Sequence, residues 1–150
     1  MIVTRATVED LAKLLELQKL AYQSEATLYQ DDTLPPLTQT LIDMTNDFDN
    51  QFILKAMVNN KIIGSVRACM EQDICHIGRL IVHPDYQNRG VGTRLMNVIE
   101  QCFPRARRFE LFTGHLSERN LHLYQKLGYQ IVWREKVHDR LDLVHMEKRR

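Results

Sequence analysis

The chain has 150 residues, of which 44% are hydrophobic and 26% charged, and its formal net charge is +1. This is the composition of one soluble globular domain, and its apolar runs are far too short to span a bilayer. Three cysteines, Cys69, Cys75 and Cys102, form no C-x-x-C pair and are odd in number, so reduced, mostly buried thiols are expected in place of a disulfide framework.

Taken in chain order, Ile2–Arg5 reads as a short strand. Thr7 with Asp10 three residues on resembles a capping box, and Leu11, Leu14, Leu15, Gln18 and Tyr22 then share one helical face. Residues 23–36 are polar, end in Pro35-Pro36 and read as a loop, and Thr38–Asp49 reads as a second helix. Phe52–Val58 and Ile62–Met70 flank Asn59-Asn60-Lys61, a hairpin signal. The turn Glu71-Gln72-Asp73 leads into a central strand, Ile74–Val82, which ends at His83-Pro84. An amphipathic helix runs from Val91 to near Pro104. Phe109–Thr113 is the next strand, and the helical crossover makes it parallel to the central one. A short helix, Asn120–Leu127, stops at Gly128, a natural C′ residue. Tyr129–Glu135 and Leu141–Glu147 close the chain as an antiparallel pair. The order β-α-α-β-β-β-α-β-α-β-β describes a single α/β domain with a sheet of mixed direction, and no repeat or linker interrupts it.

The stretch Gln87-Asn88-Arg89-Gly90-Val91-Gly92-Thr93 carries the most information, because it joins the central strand to a helix. Glycine lets backbone approach a ligand without a Cβ in the way. The first helical amides lack intrahelical partners and lie at the positive end of the helix dipole, so such a loop suits phosphate. Its spacing, Q-x-x-G-x-G, is neither the Walker loop nor the dinucleotide G-x-G-x-x-G. Upstream stands Leu80-Ile81-Val82-His83-Pro84, and downstream Asn120-Leu121-His122-Leu123-Tyr124-Gln125-Lys126-Leu127-Gly128-Tyr129. In their order and spacing these three segments resemble the GNAT family of N-acetyltransferases. The resemblance is strongest over residues 62–131.

That resemblance implies acetyl transfer from acetyl-coenzyme A to an amine, on a sheet whose central parallel strands splay apart. It implies that Leu80, Ile81 and Val82 offer backbone to the pantetheine arm, with Asn120 bonding to it, and that Gln87, Asn88, Arg89, Gly90, Val91, Gly92 and Thr93 cradle the pyrophosphate. The oxyanion donor would be a backbone N–H near Leu80–Val82. Tyr124 takes the position of the family's general acid, which protonates a leaving thiolate. Asn120 has a second reading as the N-cap of its helix. For the base four residues are open: Glu25, Glu71, His76 and His115. Glu25, in the segment after the first helix, is preferred as an acceptor contact together with Tyr22 and His115.

Charge is unevenly spread. Residues 1–50 hold three Lys/Arg against nine Asp/Glu, and residues 51–150 seventeen against ten. A basic site for coenzyme A phosphates and an acidic approach for a cation would fit that split. The acceptor expected is therefore a small cationic amine or a peptide amine, with neither a nucleic acid nor a membrane as partner. The histidines and cysteines form no metal-ligand spacing, so no metal is expected. The competing reading is a coenzyme A-binding sensor or regulatory module without turnover. No basic-plus-apolar leader opens the chain, and a cytoplasmic location is expected. A homodimer is open, with Leu141–Glu147 as the segment to pair between subunits.

Overall fold

The computed structural model describes residues 1–150. Its strands are β1 (Ile2–Arg5), β2 (Phe52–Val58), β3 (Lys61–Glu71), β4 (Ile74–Val82), β5 (Arg108–Gly114), β6 (Gln130–His138) and β7 (Leu141–Arg149). Its helices are α1 (Leu11–Ala21), α2 (Gln23–Tyr29), the single turn α3 (Pro35–Thr38), α4 (Leu41–Asn50), α5 (Val91–Gln101) and α6 (Glu118–Lys126). The seven strands form one sheet in the order β1-β2-β3-β4-β5-β7-β6. Only the β4–β5 pair is parallel, as the crossover through α5 requires.

The hairpin turns obey local rules. Asn59 and Asn60 have φ of 50° and 63°, the left-handed pair that lets a two-residue turn follow the strand twist. On α5, Val91, Leu95, Met96 and Ile99 recur at helical spacing and are all at most 5% exposed. Each such side chain contributes up to about 1.5–3 kcal/mol on burial. They pack on one sheet face with Leu54, Ile63, Ala68, Ile77 and Phe109. The other face carries α1 and α4, whose Leu11, Leu14, Leu17 and Met44 meet Ile53, Ile62 and Ile81.

A bulge in β4 shapes the centre. Arg67 pairs with Gly78 but Ser65 with Ile81, so β4 holds one extra residue at Arg79–Leu80, and Arg79 has φ of 50°. A bulge reverses which face successive side chains take. Cys75 and Ile77 accordingly join the α5 core and Ile81 the α1 core, although all three positions are odd. Arg79 is held by its Nη1, which donates to Gln39 Oε1 at 3.1 Å, and Arg67 Nη2 donates to the same oxygen at 3.2 Å. Pairing of β4 with β5 is confined to Ile74–His76 against Arg108–Glu110. Beyond the bulge the two strands separate, and the β5-facing edge of β4 is left free.

Two expectations need correction. Residues 23–29 form helix α2, where a loop through Pro36 was expected; Gln23 and Ser24 are exposed and Glu25 half-buried, while Tyr29 is 2% exposed. β7 lies between β5 and β6, so both edges of Leu141–Glu147 are already paired within the chain, and the free edge belongs to β6.

Candidate active site

Between the parted strands lies a cleft of about 680 Å³. Its walls are the end of α1 with α2, the end of β4, the glycine loop, and the start of α6. The carboxyl ends of parted parallel strands are the expected place for a ligand in an open α/β sheet.

Leu80, Ile81, Val82, Gln87, Asn88, Gly90, Val91, Gly92, Thr93 and Asn120 all line this cleft. Gly90 has φ of 80°, which a side chain would strain, and it caps α5. Arg94 N–H makes the first bond of the helix, to Gly90 O at 3.0 Å, so the amides before it are free of intrahelical partners. A Cβ on Gly92 would come within 3.1 Å of Leu123 on α6. A free strand edge leading to a helix N-terminus fits an extended amide-bearing arm that ends in phosphate, as coenzyme A does. Arg89 departs from expectation: it lies outside the cleft lining, and its guanidinium covers the Tyr86 ring at 5.4 Å. Arg119, which sequence reasoning passed over, lines the wall instead and donates to Gln87 Oε1.

Tyr22 and Glu25 line the opposite end. Glu25 Oε2 accepts a 2.7 Å bond from Ser117 Oγ, and Ser117 Oγ shares a 2.7 Å bond with the Tyr29 hydroxyl. That hydroxyl accepts the Leu116 N–H at 2.9 Å. These bonds form one chain, from a backbone amide through two hydroxyls to the carboxylate, and they lock α2 to the β5–α6 loop. Gly114 makes this possible, since a Cβ there would overlap the Tyr29 hydroxyl. Neither Ser117 nor Tyr29 was singled out from sequence. The available signal was Ser117 followed by Glu118, a helix start that places the first turn of α6 two residues before Asn120. Ser117 is thus the N-cap position, and the N-cap reading of Asn120 falls. Asn120 Nδ2 donates to Thr113 Oγ1 at 3.4 Å.

Tyr124 is 5% exposed, and its ring centroid lies 6.0 Å from that of Tyr129. It packs behind the cleft lining, next to Leu123, and no protein group is bonded to its hydroxyl. Burial pushes its pKa up, with the charges of Tyr22 and Glu25 adding to the effect, so the phenol keeps its proton at neutral pH and is electrostatically coupled to both residues. Burial also raises Tyr22, against the pull of Arg79.

Two candidates lie elsewhere. Glu71 pairs with Ile74 at the hairpin turn, its side chain 81% exposed. Six strand residues, or about 20 Å, separate that end of β4 from the cleft at Leu80. His76 stays with Glu71 and Glu110, 3.7 Å from each. His115 Nδ1 accepts the Asp142 N–H at 2.9 Å and its ring leans on Tyr29, which ties it to β7 outside the cleft lining. Of the four bases considered, only Glu25 reaches the site.

The sequence model of the acetyltransferase (GNAT) family matches residues 11–129. An uncharacterized N-acetyltransferase of Methanocaldococcus jannaschii is 30% identical over 138 residues, which cover 85% of this chain and 60% of that protein. The chain therefore spans less than two thirds of that relative's length. Among solved structures, smu.2055 of Streptococcus mutans superposes with a TM-score of 0.85 at 16% identity, over 99% of both chains. An N-acetyltransferase of Thermoplasma acidophilum, crystallised with coenzyme A, superposes with a TM-score of 0.79 at 16% identity over 100% of both chains.

Proposed function

Because the chain belongs to the acetyltransferase (GNAT) family, we propose that it transfers an acetyl group from acetyl-coenzyme A to a primary amine, a small cationic molecule or a peptide amine, by direct attack in a ternary complex. The carrying observation is the single cleft that runs from the glycine loop, past the free edge of β4, to the Glu25–Ser117 pair. Acetyl-coenzyme A supplies an activated acyl group on a thiol that must leave.

The chain's own residues do the rest. The amides around Val91–Thr93 hold phosphate, with Arg119 beside them. The free edge of β4 and Asn120 orient the arm. Glu25, with Ser117 on Oε2, holds the ammonium of the acceptor and takes up the proton it loses. Backbone N–H at the Leu80–Val82 level stabilises charge on the acyl oxygen. Tyr124, kept protonated by burial, donates its proton to the leaving thiolate.

The test is a thiol-release assay with acetyl-coenzyme A and a panel of amines, run beside calorimetric binding of coenzyme A. Tyr124→Phe should lower kcat by about 10²–10⁴-fold, the range for loss of a general acid, while coenzyme A affinity holds. Turnover equal to wild type would remove Tyr124 from the chemistry. Binding of acetyl-coenzyme A with no turnover on any amine would refute the transferase reading itself.

A further inference from the structure

Three large apolar side chains stand exposed on the acceptor wall of the cleft: Leu20 at 45%, Leu28 at 43% and Leu116 at 44%. A lone exposed leucine is ordinary. Three on the walls of one concave site, beside a carboxylate, form a lined pocket with an apolar and a polar side.

Their placement follows from the fold. Leu28 and Glu25 are three apart on α2, so they share a helix face with Cβ atoms about 5–6 Å apart. Leu116 directly precedes Ser117, whose hydroxyl holds Glu25. Leu20 ends the same wall on α1. The cations of the cleft, Arg119 and Lys126, are on α6, and Arg119 is bonded to the glycine loop. The carboxylates are Glu25 and Glu118 alone. Glu25 Oε2 is occupied by Ser117, and Oε1 has no partner within the protein. One free carboxylate oxygen flanked by leucines matches one ammonium flanked by hydrocarbon.

We infer that the acceptor is a primary amine with an apolar group, alkyl or aryl, only a few bonds from its nitrogen. This rests on the transferase reading and narrows it. A polyamine would bring at least two further charges to a cleft whose one other carboxylate, Glu118, stands on α6 beside the cation Arg119. An aminoglycoside would strand several hydroxyls against the leucines, each losing the partner it has in water, and those losses add up over the molecule.

The experiment is steady-state thiol release by the full chain with acetyl-coenzyme A. The acceptors are straight-chain amines from methylamine to hexylamine, phenylethylamine, spermidine, kanamycin, and two tripeptides that begin with leucine or with serine. We expect kcat/KM to rise about twofold to fourfold per methylene, the value of one buried CH₂ against a partly open wall. The leucyl peptide should exceed the seryl one, and its rank against hexylamine tells whether the apolar amine is a peptide terminus or a free molecule. Leu28→Asn should lower the hexylamine-to-methylamine ratio by about tenfold. A flat series, or spermidine or kanamycin ahead of hexylamine, would overturn the inference and leave the transferase standing. Coenzyme A binding without turnover on any acceptor would overturn both.

Discussion

Replacing Gly114 by alanine probes the link between the fold and the acceptor side of the cleft. The added methyl would overlap the hydroxyl and ring of Tyr29. Tyr29 is 2% exposed and packs with Leu34 and Leu141. Forcing a methyl into a filled site costs about 1–3 kcal/mol. If the ring withdraws, the Leu116 N–H loses the partner it holds at 2.9 Å, while Ser117 Oγ keeps its bond to Glu25. Orphaned groups of this kind cost about 1–3 kcal/mol more. Alanine reduces the entropy of the unfolded chain and offsets only about 0.4–1 kcal/mol. The net expectation is a loss of about 1–6 kcal/mol, a large share of the roughly 5–15 kcal/mol that holds a domain of this size. Urea denaturation followed by circular dichroism would measure it. The same change in a Tyr29→Ala background should cost under about 1 kcal/mol, because the clashing ring is gone, and the coupling isolates that contact. Wild-type stability within about 0.5 kcal/mol, or an equal cost in both backgrounds, would refute the reasoning.

Glu25→Gln keeps the Ser117 bond but removes the charge, and should raise KM for a cationic acceptor by about tenfold with coenzyme A affinity unchanged; an unmoved KM would take Glu25 out of the site. Asp31 accepts from the Thr33 hydroxyl and N–H and pairs with His138 at 2.9 Å, and these bonds, Thr33 first, hold its carboxyl down at about 2. Since the folded value lies below the unfolded 3.8, its stabilisation is complete above the unfolded value and is lost as pH falls through about 2. The stability deficit of Asp31→Asn in urea should therefore be present near neutral pH and vanish by about pH 2, and a pH-independent deficit would contradict the assignment. Glu100 accepts from the Tyr129 hydroxyl at 2.9 Å and from Lys148 at 2.8 Å. Glu100→Ala strands the buried Tyr129 hydroxyl and frees Lys148 to water, and should cost about 1–3 kcal/mol, to be checked by denaturation; a loss under about 0.5 kcal/mol would count against it.

Local signals decided what was legible in the sequence. Asn59-Asn60 set the first hairpin turn because both tolerate positive φ. The amphipathic run from Val91 identified α5, and Gly90 before it marked where backbone could meet a ligand. These depend on a residue and its near neighbours, so the strand–loop–helix unit and the succession of the seven strands could be read directly. The helix α2 escaped notice because its seven residues lack a strong apolar stripe, and Pro35-Pro36 beyond it suggested a loop. Tertiary structure alone decided which acidic residue reaches the cleft. Glu25 and Ser117 stand 92 positions apart and meet at 2.7 Å, while Glu71 borders the same central strand at its wrong end. The Arg79 bulge moves Ile81 to the other face, through a register shift that no residue type announces. Which strand is left at the edge, β6 in place of β7, likewise follows from pairing across the sheet. Period and backbone freedom are properties of a segment, whereas convergence, register and edge are settled by packing between segments distant in the chain.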